Sequence, residues 1–300
     1  QNKLELKYMH KTKYISPNGF TLIELLVAMA ITGIVAGAIY TAFQSQQKSY
    51  LIQEQVAEMQ QNLRAAMDIM VREIRMAGYS QGASGFGITD IRPRDINNNV
   101  DITVTGNGAF EFTADFDDNG TLSGGETVSF SVYDSPVAAP DGINDLGRNS
   151  GGGRQLVAEN IEALGFAYAF DADGDGILDT YNVGGNQRVI WAVDSDGDND
   201  LDRNLDTNND GNIDENDGPG PGGNGLIAGT AIADVAPQDI RAVRIWMLAR
   251  TERGDNGFVN TRTYVIGNKV ITPNTDADPG NDHLRMRLLT STVKCRNMEL

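Results

Sequence analysis

Four stretches of the chain set oxygen-bearing side chains on alternate residues. "DFDDNGTLSGGE" places Asp115, Asp117 and Asn119 at loop positions 1, 3 and 5, Gly120 at 6 and Glu126 at 12. "DTNNDGNIDEND" places Asp206, Asn208 and Asp210 at 1, 3 and 5, Gly211 at 6, Asp214 at 9 and Asp217 at 12. "DADGDGILDTYN" fits with Asp171, Asp173, Asp175, Gly176 and Asp179, but has Asn182 at position 12. "DSDGDNDLDRNL" offers Asp194, Asp196, Asp198 and Asp202, lacks the glycine and ends on Leu205. The spacing suits a hard divalent cation. Ca²⁺ takes six to eight oxygens at about 2.3–2.6 Å, alternate side chains of a tight loop converge on one centre, and a glycine permits the sharp turn. The alternative for any single stretch is a solvated acidic linker. Recurrence favours calcium, because residues 171–217 hold fourteen acids against two arginines and would repel themselves without cations. Helices flanking the loops are not evident, so only the loop chemistry of an EF-hand is expected here. "DADPGND" (276–282) reads as a turn.

Such loops need a framework. Short apolar or alternating runs recur between turn residues: "VDITVT" (100–105), "AFEFTAD" (109–115), "ETVSFSVYD" (126–134), "EALGFAYAF" (162–170), "RVIWAV" (188–193), "IRAVRIWMLAR" (240–250), "TYVIGNKVI" (263–271) and "LRMRLLTSTVKCRN" (284–297). They predict an antiparallel sheet. Ahead of them, Phe20–Phe43 is 24 residues long with one charge, Glu24, enough to span a bilayer as a helix. Ile52, Val56, Met59, Leu63, Ala66, Met70, Ile74 and Ala77 then continue as one apolar stripe at helical spacing. No proline interrupts residues 20–79, and Gly78 is a natural stop. The pattern predicts one helix over about 20–78. The fold class expected is α+β, with the sheet packed on the amphipathic half of the helix.

The opening of this helix resembles a known signature. "GFTLIELLVAMAI", behind a leader with four lysines, is similar to the type IV prepilin motif. The resemblance implies cleavage by a prepilin peptidase between Gly19 and Phe20 and methylation of the new amine. It also implies that Glu24 pairs with the amine of a neighbouring subunit during assembly. A charge in an apolar segment is costly unless it finds a partner. Many members of the family carry a proline near mid-helix, where Thr41 stands here; Gly33 and Gly37 offer the flexible or close-packed point instead. The runs "RAVRIWMLART" and "LRMRLLTSTVKCRN", with "ENIEALGFAYAFDADGDG", resemble the PilW/PulJ-type minor pilins.

The organisation expected is a leader over 1–19, a membrane or filament-core helix over 20–43, an amphipathic continuation over 44–79, and a β-rich body over 80–300 with acidic loops at 115–126 and 171–217. Gln1 in place of Met predicts a start upstream. The leader carries +3 and residues 80–300 carry −19 of the net −17. The lysines predict a cytoplasmic leader, and the acidic body argues against nucleic acid. Cys295 is the only cysteine, so no intramolecular disulfide forms, and it reads as a buried small hydrophobe. "GPGPGG" (218–223) contains two prolines and follows an acidic loop, so it reads as a linker. No hydrolase, phosphate-loop or zinc motif occurs, so an enzyme is not expected. Trp191 and Trp246 lie in strand-like runs and are read as core. The resemblance implies a minor type IV pilin in a priming or tip complex. Its partners would be other pilins and the peptidase, its precursor would sit in the inner membrane, and its final location would be the pilus or a periplasmic filament. A pseudopilin of type II secretion shares the signature, and a calcium-dependent tip adhesin is the alternative of another class.

Overall fold

The computed structural model describes residues 19–80, 84–95, 99–101, 110–134, 143–218, 226–273 and 283–298. Residues 1–18 of the leader, most of "VDITVT", most of "GPGPGG" and "DADPGND" lie outside the described residues. The chain divides into two compact units, residues 1–51 and 52–300.

One helix, α1 (Leu22–Ile74), runs through both units. In the first unit its side chains are exposed, and its most apolar 18-residue window has a mean hydropathy of 2.3 with nothing buried. Thr41 stays helical and its hydroxyl donates to the Ala38 carbonyl at 2.9 Å. In the second unit Met59, Leu63, Ala66, Met67, Met70 and Ile74 are buried. The expected stripe is present with Met67 added, while Ile52 and Val56 are half-buried. The helix ends at Ile74, four residues before Gly78, because the next turn tightens. Met76 and Ala77 donate to carbonyls three residues back, and Gly78 turns away at φ 76°.

The rest of the second unit is antiparallel. Strands β1 (Ile88–Asp90), β2 (Phe110–Thr113), β3 (Thr127–Asp134), β4 (Asn144–Asn149) and β5 (Arg154–Ala158) form a meander in chain order. A six-stranded sheet is built from β6 (Ile161–Phe170), β9 (Ala192–Val193), β10 (Leu201–Asn204), β11 (Thr230–Val235), β12 (Ile240–Arg250) and β15 (Met286–Lys294), in the order β11-β10-β9-β6-β12-β15. Two hairpins, β7 (Thr180–Val183) with β8 (Asn186–Val189) and β13 (Tyr264–Ile266) with β14 (Lys269–Ile271), complete it. The run 188–193 is therefore divided between β8 and β9, and 263–271 is a hairpin rather than one strand.

Alternation along β6 and β12 sorts two cores. Leu164, Phe166, Tyr168, Val243, Ile245 and Met247 join the helix stripe and the aromatics Phe110, Phe112 and Phe130. Ala163, Ala167, Ala169, Trp246 and Leu248 face a second cluster with Tyr264 and Ile266. The small residues on that face of β6 admit the β13–β14 hairpin closely. A Cβ on Gly165 would stand 2.7 Å from the backbone carbon of Ile266. Trp191 and Trp246 are buried, with the Arg244 guanidinium over their rings at 4.1 and 5.8 Å. Cys295 is fully buried, and burial pushes its thiol up to about 12.

Candidate functional site

The four acidic stretches adopt one repeated conformation. The carboxylate at position 1 (Asp115, Asp171, Asp194, Asp206) is between 0 % and 3 % exposed. One of its oxygens accepts the backbone N–H of position 6, from Gly120, Gly176 and Asn199 at 2.9 Å and from Gly211 at 2.7 Å. The side chain at position 3 accepts the N–H of position 5: Asp117 and Asp173 at 3.1 Å, Asp196 at 3.2 Å, Asn208 at 2.8 Å. The side chain at position 5 accepts the N–H of position 7: Asn119 and Asp175 at 2.7 Å, Asp198 at 2.9 Å, Asp210 at 2.8 Å. Positions 4 and 6 have positive φ in every loop: Asp118 and Gly120, Gly174 and Gly176, Gly197 and Asn199, Asn209 and Gly211. Only Gly, Asn and Asp stand there, the residues for which that conformation costs least. Asn199 thus supplies the turn where glycine is missing. Its side chain also accepts the Ile91 N–H at 3.0 Å and donates to the Thr89 carbonyl at 3.1 Å.

The loops close in two ways. Glu126 and Asp217, at position 12, accept the N–H of position 9 from Ser123 at 2.6 Å and Asp214 at 2.9 Å. Asp179 and Asp202, at position 9, instead accept the N–H of position 2, from Ala172 and Ser195, both at 2.8 Å. The two shorter loops thus close without the side chain at position 12. There Asn182 accepts the Gly185 N–H in the β7–β8 turn, and Leu205 is buried in the core.

Carboxylates gather unequally. Ligand atoms of Asp115, Asp117 and Glu126 lie within 4.8 Å of one another, as do those of Asp171, Asp173 and Asp175, and those of Asp194, Asp196 and Asp198. Each group could hold a metal ion. Among the described residues, no three carboxylates of loop 206–217 gather so. Asp206 there accepts the Tyr181 hydroxyl, Asp217 accepts the Thr207 N–H at 2.7 Å, and Arg188 lies against Gly211. The two stretches that fill every sequence position are therefore not equivalent in space.

Topology places these loops. Strands β6 and β10 both run antiparallel to β9, so loops 171–179 and 206–217 leave the same end of the sheet and the loop after β9 leaves the other. The environments differ too. Burial raises the Asp194 carboxyl above its usual range despite N–H donors from Gly197 and Asn199, and Asp198 and Asp196 add to the rise. At Asp171 burial also pulls upward, but N–H donors from Gly176, Gly174 and Asp175 together leave the carboxyl below its usual range.

At the other candidate site, Gly19 and Phe20 are exposed ahead of α1. Glu24 has a partner within its own chain. Its Oε2 accepts the Thr21 N–H at 2.8 Å and the Thr21 hydroxyl at 2.9 Å, while the Glu24 N–H donates to the Thr21 hydroxyl at 3.3 Å. This is a reciprocal capping box. The sequence carried its signal, Thr-x-x-Glu ahead of an apolar run, beneath the more conspicuous question of a charge in a membrane segment. Closure at position 9 was likewise signalled, by aspartates at 179 and 202 where position 12 fails.

Comparison with known proteins adds the following. Residues 16–40 match the family described as prokaryotic N-terminal methylation motif. Residues 185–297 match the family described as type IV pilus-assembly protein W. No curated protein matches the chain. Among solved structures the chain is similar to the type IV-like pilin TTHA1219 from Thermus thermophilus, at 14% identity over 80% of this chain and 97% of that one, with a TM-score of 0.35.

Proposed function

We propose that the chain, with a methylation motif over residues 16–40 and a pilus-assembly protein W match over residues 185–297, is a type IV pilin-like structural subunit rather than an enzyme, and that it serves as a minor pilin in a priming or tip complex, its body stabilised by calcium. The observation that carries the assembly reading is the methylation motif at the start of an apolar helix whose side chains, over residues 22–51, are exposed. A face of that kind favours the inner membrane before assembly and packing against other pilin helices afterwards. Cleavage after Gly19 would leave Phe20 as the new terminus. Glu24 would then hold its capping bond to Thr21 and meet the amine of a neighbouring subunit. The test is complementation of a deletion strain: Gly19→Ala should leave an uncleaved precursor, and Glu24→Ala a cleaved subunit that does not enter pili. Normal piliation with both variants would refute the reading.

For calcium the support is the shared conformation of four loops. Asp115, Asp117, Asn119 and Glu126 would hold one ion, and Asp171, Asp173, Asp175 and Asp179 a second. Asp194, Asp196, Asp198 and Asp202, with Asp206, Asn208, Asp210, Asp214 and Asp217, would hold two more. A bound ion would supply positive charge where carboxylates crowd, and its binding free energy adds to folding in a chain without disulfides. Extracellular modules bind calcium at about 10⁻⁴–10⁻³ M, so the loops would fill only after export. Calorimetric titration of the full chain in detergent, beside Asp115→Ala and Asp206→Ala, tests this. Saturable heat that each variant reduces is the expected result, and no heat at millimolar calcium reduces the loops to solvated turns.

A further inference from the structure

We propose that a cation at loop 115–126 latches the chain just beyond helix α1 to the body, an inference that rests on the calcium reading of that loop. Two independent observations meet there. Glu126 is 2 % exposed and its Oε1 has no hydrogen-bond partner among the described residues, although its ligand atom stands with those of Asp115 and Asp117. A buried carboxylate oxygen left without a partner is costly, and a divalent cation supplies what it lacks. The same loop is tied to the residues that end the helix. The Asp115 N–H donates to the Tyr79 carbonyl at 2.8 Å, and the Tyr79 hydroxyl donates to Asp118 Oδ1 at 3.0 Å. The Gly78 N–H donates to the carbonyl of Thr113, on the strand that leads into the loop, at 3.0 Å.

Asp118 is the link between the two. It holds position 4 at φ 57°, a conformation that costs free energy for any residue with a side chain. That turn is what brings positions 1, 3 and 5 around one centre. With an ion present, attraction to the gathered carboxylates keeps the turn closed and Asp118 within reach of Tyr79. Without it, carboxylates within 4.8 Å of one another repel. The loop then gains by opening, Asp118 relaxes to negative φ, and its oxygen leaves the Tyr79 hydroxyl. Ion occupancy is in this way transmitted to the backbone at residues 75–80.

The experiment is amide hydrogen exchange on the full chain in detergent micelles, in about 2 mM Ca²⁺ and in EGTA, with calorimetric calcium binding alongside. In calcium, the segment 74–80 should exchange about tenfold more slowly or better. Tyr79→Phe should bind calcium with unchanged stoichiometry yet lose most of that slowing. Glu126→Gln should lose one ion and the slowing together. If the wild type binds calcium with no change at 74–80, or if Tyr79→Phe keeps the full slowing, the latch is overturned and the calcium reading stands. If Glu126→Gln binds as many ions as the wild type, the reading of loop 115–126 itself falls, and the latch with it.

Discussion

Around Met70 and Phe110 apolar side chains from α1 and both sheets meet, and the ionisable groups among them, Tyr168 and Cys295, are held neutral by burial. Around Asp115 and Asp194 a buried carboxylate crowds against neighbouring ones, and its N–H donors satisfy geometry without cancelling charge. The first region folds on what the chain itself supplies. On the calcium reading, the second is complete only with what the medium supplies. Stability should therefore separate into a part indifferent to calcium and a part that follows its activity.

Removing calcium is the widest test of that division. If four loops fill in the extracellular range, chelation at about 2 mM Ca²⁺ should cost about 3–7 kcal/mol in total, read as a fall in the denaturant midpoint of the full chain. Met70→Ala should cost about 2–5 kcal/mol, and the same amount in calcium and in EGTA, because the cavity it leaves lies in the apolar core. A calcium-dependent cost for that variant would break the comparison. Glu126→Gln should behave oppositely, costing about 1–2 kcal/mol in calcium. In EGTA it should be neutral or slightly stabilising, since it removes a buried charge beside two others.

The smallest expected effect concerns Asp90, which is buried. Burial pulls its carboxyl upward, but hydrogen bonds from Arg92 and Arg94 outweigh it and hold the group below its usual range. A depressed folded value means that the contribution is fully present above the ordinary carboxylate pKa and is lost as pH falls through the folded one. In EGTA, so that calcium release adds nothing, the stability difference between wild type and Asp90→Asn should be constant near neutrality and vanish in acid. A difference that persists in acid would show that the amide disturbs packing rather than charge.

Much of this was legible in the sequence, for physical reasons. The helix stripe and strands such as 240–250 announce themselves because apolar periodicity is what burial selects. The loop spacing is legible because alternate residues must converge. Other parts were hidden. β4 reads "NDLGRN", a turn by composition, and forms a strand because Leu146 is buried and β3 pairs with all six residues. Gly147 within it allows the Tyr133 and Arg154 side chains to close over the backbone, where a Cβ would meet both within 2.7 Å. The split of 188–193 between β8 and β9 was also hidden, because a run of apolar residues does not say where its partner strand stops. Asn199 carries a weaker signal, because asparagine tolerates the positive φ that glycine supplies in the other three loops.

The hydrogen bonds inside the loops also bear on how the protein ages. Asn-Gly and Asp-Gly steps decay when the glycine nitrogen attacks the preceding side-chain carbonyl, forming a succinimide that reopens partly as isoaspartate. Within the four loops such steps fall at Asn119–Gly120, Asp173–Gly174, Asp175–Gly176, Asp196–Gly197 and Asp210–Gly211. In each, the glycine N–H is already donated to the carboxylate at position 1, at 2.6–2.9 Å. A nitrogen so engaged is poorly placed to attack. The closed loop therefore shields its own most perishable bonds. A loop left open would accumulate isoaspartate, whose extra backbone carbon throws the later oxygens out of step; if the loops take ions as proposed, a molecule long deprived of them becomes progressively unable to bind them again.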